Sequence, residues 1–306
     1  MLGVLEDKKA MVKVTQIRQL IDRYMDSSAF RKLGRASKID YHDCLRIIEE
    51  DLGAYSLKRI TVPLMQKYYD IWLDRGIHRA NKIAAIMSIL INWAKKNSIE
   101  VSNPMPYVDK IPNPPRRIIW EPHQVKLFLD TAYSQWKWRS IGLIVHMAYD
   151  WGQRVGDMRL LLWDYIDLDK NRVDLTQSKR GVDVHLPISP GLHNILTQQK
   201  ETFGFQQYVA PQVQARDNSY KPYARGTLHR YVNTILSAAG LPKELTAMDM
   251  RRSAITEMVE AGVDITQIKQ VSGHTSIDSL TPYIKHTFTG ASEALAQRNA
   301  FKLEKE

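Results

Sequence analysis

Apolar residues at Ile83, Ile86, Met87, Leu90, Ile91 and Ala94 recur at the three- and four-residue spacing of one helical face. Lys95, Lys96 and Asn97 follow them, and basic side chains suit the negative end of a helix. Weaker versions of the same pattern run through 18–25, 41–51 and 62–75. Together they predict a helical domain of four helices. The pattern breaks at Ile111-Pro112-Asn113-Pro114-Pro115-Arg116-Arg117. Three prolines in four residues cannot lie inside a helix or a central strand. Asn103-Pro104 and Met105-Pro106 begin the irregular zone. The chain therefore divides into a tail (1–11), a helical domain (12–106), a linker (107–118), a second domain (119–289) and a C-terminal tail (290–306).

In the second domain, Glu121-Pro122 opens a helix to about 134, with proline in its first turn. Ile141, Ile144, Val145 and Ala148 mark another, which stops near Gly152. The period then changes. Val173 and Leu175, then Val182, Val184 and Leu186, alternate as strand residues do, with a turn at 178–181 between them. Helices are expected again over 190–201, 226–239 and 249–261. Residues 202–226 show no period and are expected to form a loop or insertion. The fold class is mainly α with a small β-sheet: a helical domain followed by an α+β domain.

Composition narrows the function. The 306 residues are 44% hydrophobic and 25% charged, which excludes collagen-like, low-complexity and disordered chains. A single cysteine, Cys44, excludes an intramolecular disulfide and a cysteine-rich zinc site. No apolar run approaches the roughly 20 residues of a membrane span. The segment MLGVLEDKKAMVK carries Glu6 and Asp7 and lacks an apolar core, so it does not read as a signal peptide, and a cytoplasmic setting is expected. Forty-three Lys and Arg against 33 Asp and Glu leave a charge of +10, which favours a polyanionic partner. The excess is shared: 19 basic against 13 acidic residues up to Lys110, and 24 against 20 beyond it. No phosphate-binding glycine loop, His-Glu-x-x-His spacing or cluster of carboxylates occurs. Chemistry on a nucleic acid would then proceed without a metal, nucleotide or other cofactor.

Several polar residues fall in unusual places. Arg154 follows the helix that ends near Gly152, with Asp157 three residues on. Thr246 and Asp249 have capping-box spacing. Arg251 lies on the apolar face of Ala254, Ile255 and Met258, and an inward arginine needs an anionic partner. That partner is either a bound anion or a structural carboxylate, Asp157 or Asp249. His274 follows Gly273, and Tyr283 comes nine residues later.

This ordered set resembles the tyrosine recombinases, and the phage integrases in particular. Arg154, Lys179 in a turn, Arg251, Gly273-His274 and Tyr283 follow the order and spacing of that family's catalytic residues. Asp157 matches its acidic position. Arg79-Ala80-Asn81, the helix to Trp93-Ala94 and Asn103-Pro104 resemble the end of its core-binding domain. The resemblance covers about 12–290. It departs at Met248, where the family's arginine box usually begins with histidine, and methionine can neither donate nor accept a proton.

The resemblance implies site-specific cleavage and rejoining of double-stranded DNA at recombination or attachment sites. Tyr283 would be the nucleophile and Arg154 and Arg251 the phosphate clamp. Lys179 would be the general acid, His274 a hydrogen-bond donor to phosphate, and Asp157 a supporting group. It also implies a C-shaped clamp, a homotetramer on DNA with a tail docked on a neighbour, and accessory DNA-bending proteins. Docking of the tail on its own domain is the alternative. Lys82, Lys95, Lys96, Arg116, Arg117 and Arg180 are candidate phosphate contacts, each equally readable as a solvated surface charge. The competing readings are a housekeeping recombinase that resolves chromosome dimers, a type IB topoisomerase, and a silent DNA-binding protein, the last favoured only by Met248.

Overall fold

In the computed structural model, residues 14–179, 181–213, 219–283 and 288–303 are described. The chain forms two compact units that meet between Arg116 and Arg117.

The first unit is built on α1 (Ile17–Met25), α2 (Arg35–Leu52), α3 (Val62–Leu73) and α4 (Ile77–Lys96), with a one-turn helix at Ser28–Arg31. The apolar stripe read on α4 is its core face: Ile83, Ile86, Met87, Leu90, Ile91 and Ala94 are all buried. α2 starts six residues before the expected 41. Its first two turns contribute no buried side chain, so no apolar pattern marks them. Asp51 accepts a 2.7 Å hydrogen bond from the buried Trp72 indole, and Tyr24 meets Trp93 edge to face at 5.3 Å.

The proline-rich segment is anchored along its first half. Asn81 Nδ2 donates to the Ile111 carbonyl (2.8 Å) and to Asn113 Oδ1 (2.9 Å). Asn81 Oδ1 accepts from the Tyr69 hydroxyl (2.8 Å), which itself accepts from the Ile111 N–H (2.8 Å). Gln66 Oε1 accepts from the Asp109 N–H at 2.8 Å. A segment with few backbone partners of its own thus has its polar groups met by side chains of α3 and α4.

The second unit packs around two consecutive helices, α5 (Pro122–Tyr133) and α6 (Arg139–Asp150). Eight of the twelve residues of α6 are buried, and a helix covered on nearly every side is a core helix. α5 approaches it closely at Gly142, where an added Cβ would stand 2.9 Å from the Ala132 methyl. The sheet is antiparallel, in the order β1 (Ile166–Asp167), β2 (Arg172–Thr176), β3 (Asp183–Pro187). Val173 faces Leu186 and Leu175 faces Val184 across the β2–β3 pair, and these alternate residues form the buried face. The two-residue β1 was not anticipated. Helices α7 (Pro190–Phe203), α8 (Arg225–Ala238) and α9 (Met250–Glu260) follow, near the expected boundaries. The expected loop at 202–226 includes short bridges, Leu162 with Tyr208 and Pro211 with Pro222. α10 (Ile265–Ser272) was not anticipated, and α11 (Phe288–Leu303) occupies most of the C-terminal tail. On α11, Leu295, Phe301 and Leu303 are exposed. Among the described residues no helix is long and apolar enough to cross a membrane.

Candidate active site

The C-terminal turn of α6 is the frame of the site. Its chain continues through Gly152 and Gln153 to Arg154, the N-cap of a one-turn helix, Val155–Met158. Arg251 sits in the first turn of α9, just after a short 3-10 turn (Ala247–Asp249) that carries the capping box read from Thr246 and Asp249: the Thr246 N–H and hydroxyl both donate to Asp249 Oδ2, at 3.1 and 2.8 Å. Arg251 is 8% exposed, and its Nη1 donates to the Gly152 carbonyl at 3.3 Å. Arg251 is thus tied to the backbone just past α6, in the segment that leads into Arg154. Tyr149, the last but one residue of α6, donates its hydroxyl to the Glu257 carboxylate of α9 (2.8 and 2.7 Å), which clamps the two helices. Burial pushes the Glu257 carboxyl above its ordinary range and the Tyr149 phenol upward as well.

Arg154 is held by two groups. Its Nη1 donates to Gln177 Oε1 at 2.8 Å and lies 3.8 Å from Asp157 Oδ2. Asp157 Oδ1 accepts a short hydrogen bond from Ser178, at the base of the turn that carries Lys179. Asp157, one of the two carboxylates read as an alternative partner of Arg251, stands beside Arg154. Arg251 Nη1 meets the Gly152 carbonyl, and both ring nitrogens of His274 lie 3.3 Å from its Nη2. Ser272 Oγ lies 2.7 Å from His274 Nδ1.

Tyr283 is half-buried against Ile255, Ile268 and Leu280. Its ring lies 6.3 Å from that of His274, and the Arg252 guanidinium stands over it at 5.6 Å. The structure thus brings Arg154, Asp157, Arg251, His274 and Tyr283 into one cluster. Lys179 is exposed on its turn, and Arg180 lies outside the described residues. Met248 is 81% exposed. Lys95, Lys96 and Arg117 are exposed, whereas Lys82 pairs with Asp40 at 2.5 Å.

Sequence reasoning missed Gln153, Gln177, Ser272 and Arg252. The only available signal was adjacency: each stands one or two residues from a motif residue. Glutamine and serine carry no spacing rule that would mark them.

The motif set and this geometry agree with similarity to known proteins. The model of the phage integrase family matches residues 120–289, more than half of the chain, and the chain belongs to that family. Among curated relatives, tyrosine recombinase XerA of Pyrococcus furiosus is 28% identical over 158 residues, which cover 51% of this chain and 54% of that protein. The chain thus spans about half the length of this relative. Tyrosine recombinase XerC of Pediococcus pentosaceus is 24% identical over 71% of this chain and 74% of its own. Of solved structures, a lambda integrase tetramer bound to a Holliday junction superposes with a TM-score of 0.74 at 20% identity, covering 90% of this chain and 78% of that one. The Tn1549 transposon integrase bound to transposon right-end DNA gives 0.73 at 14% identity, over 93% and 99%. These likenesses establish the fold.

Proposed function

We propose that this chain is a site-specific DNA recombinase of the integrase type, which cuts and rejoins double-stranded DNA through a 3′-phosphotyrosyl intermediate. The observation that carries the reading is the pair Arg154 and Arg251: the first is joined through Gln177 to the segment that carries His274, the second meets the Gly152 carbonyl and His274, and Tyr283 stands beside His274. In-line attack on a phosphodiester spreads negative charge over the non-bridging oxygens. Two guanidiniums and an imidazole are donors suited to that charge. Tyr283 Oη attacks phosphorus, its proton passes to solvent or a nearby base, and the bond from phosphorus to the 5′-oxygen breaks. Lys179, on an exposed turn, gives the leaving oxygen its proton. A 5′-hydroxyl of a second strand then attacks the phosphotyrosine, releases the tyrosine and restores the phosphodiester. One ester replaces another at each step, so no ATP is consumed. Met248, where the family's histidine would stand, has no part in this proton traffic.

The reading implies a homotetramer on two recombination sites, with Lys95, Lys96, Arg116, Arg117 and Arg180 as phosphate contacts. It also implies work on DNA in the cytoplasm. The lambda and Tn1549 integrases, both seen bound to DNA, support a DNA partner. The test is to incubate the protein with DNA flanking its own gene, denature, and look for a covalent protein–DNA adduct. Wild type should form one and Tyr283→Phe none. Site-specific binding without an adduct would refute cleavage and leave a DNA-binding protein.

A further inference from the structure

Gln177 is fully buried at the end of β2, two residues before Lys179. Its side chain is the meeting point of three segments. Oε1 accepts from Arg154 Nη1 (2.8 Å), while Nε2 donates to Gln153 Oε1 (2.7 Å) and to the Ser272 carbonyl (2.8 Å). Gln153, also fully buried, donates in turn to the carbonyls of Trp151 (2.9 Å) and Val271 (2.7 Å). The backbone of Gln177 closes the turn bearing Lys179: its N–H donates to Val182 O (2.8 Å) and its carbonyl accepts from the Gly181 N–H (2.9 Å). The amide orientation follows from chemistry alone. A guanidinium only donates and a backbone carbonyl only accepts, so the oxygen must face Arg154 and the nitrogen Ser272.

We infer that Gln177 is a positioning residue for the reaction, which holds the Arg154 guanidinium at the phosphate while fixing the segment that carries His274. The inference rests on the proposed DNA-cleaving function. No other residue type meets all three contacts. Glutamate would face the Ser272 carbonyl and Gln153 Oε1 with oxygen and would draw Arg154 into an ion pair. Methionine, of similar length, would leave Arg154, Gln153 and Ser272 each without this partner.

The test compares wild type, Gln177→Met and Gln177→Glu in single-turnover adduct formation on a nicked duplex, at saturating protein. A second duplex carries a methylphosphonate at the scissile position. That group is neutral and makes little demand on a guanidinium. Misplacing a reactive group by about 1 Å costs on the order of 100-fold, and a loss of that size is expected for Gln177→Met on the phosphodiester. The loss on the methylphosphonate should be at least about tenfold smaller, because little of it depends on where Arg154 stands. Equal losses on both duplexes, or none on the phosphodiester, would overturn the inference. A merely structural role would depress both alike. Should Gln177→Met fail to fold, Gln177→Glu, which keeps the size but draws Arg154 into an ion pair and away from the phosphate, carries the same comparison, with the larger loss again expected on the phosphodiester. No adduct from wild type on either duplex would overturn the functional reading, and this inference with it. That outcome is distinct from equal losses in the variants.

Discussion

Replacing Gly273 by alanine tests the packing of the site more sharply than replacing any charged residue. Gly273 has φ +64°, a conformation that costs an alanine about 1–2 kcal/mol. Space is the larger cost. An added Cβ would stand 2.5 Å from Gln177 Nε2, 2.8 Å from Cδ and 3.0 Å from Oε1. Gln177 is fully buried and bonded on every side, so the amide must leave its partners. Losing the bond to charged Arg154 costs about 1.5–3 kcal/mol, and each neutral bond about 1. With the two neutral bonds of Gln177 the sum is about 4.5–7 kcal/mol. For a unit of this size that lowers the midpoint of thermal unfolding by roughly 9–28 °C. Gly240 supplies the control. Its φ is +65°, but nothing lies within 4 Å of the Cβ it would gain. Gly240→Ala should therefore cost only about 1–2 kcal/mol, or roughly 2–8 °C. Both variants are read in the full chain by calorimetry or circular dichroism. Equal shifts would refute the argument, since they would mean that Gln177 moves aside without cost.

Three further outcomes follow from the same structure. Lys179→Ala should slow cleavage of an ordinary substrate by about 10²–10⁴-fold, yet barely affect one with a 5′-bridging sulfur, which leaves without a proton; equal losses would remove Lys179 as the acid. Glu257 has its carboxyl raised by burial, so its ionisation opposes folding: the stability this group contributes is present in acid and lost as pH rises through the raised value. Glu257→Gln, which keeps an acceptor for Tyr149, should be more stable than wild type near pH 8, and denaturant melts from pH 4 to 8 should show the advantage vanishing at the acid end. Asn81→Ala removes the donor to Ile111 and Asn113 and the acceptor for Tyr69, and should cost about 1–3 kcal/mol; limited proteolysis should then cut faster within 109–117, and an unchanged rate would show that the segment is held by other contacts.

Long helices with one buried face were legible from the sequence because burial repeats along them. The face of α4 and the Thr246–Asp249 cap are examples. Elements with little to bury were not. β1 has two residues, and α10 buries only Ile268 and Ser272. The site was legible where chemistry restricts residue choice, as at Arg154, Arg251, His274 and Tyr283. Gln153 and Gln177 were not, because an amide in a core is recognised by the partners around it. Those partners come from segments up to 118 residues away in sequence.

The tether between Arg251 and the Gly152 carbonyl joins residues 99 apart, and Tyr283 comes later still. During synthesis α5, α6 and the sheet leave the ribosome well before α9 and α10, at about 5–20 residues per second. A nascent chain that has reached α8 therefore presents Arg154 with neither its companion guanidinium nor a nucleophile. Under the proposed chemistry such a chain cannot form a covalent link to DNA, so interrupted translation leaves no half-made nuclease behind.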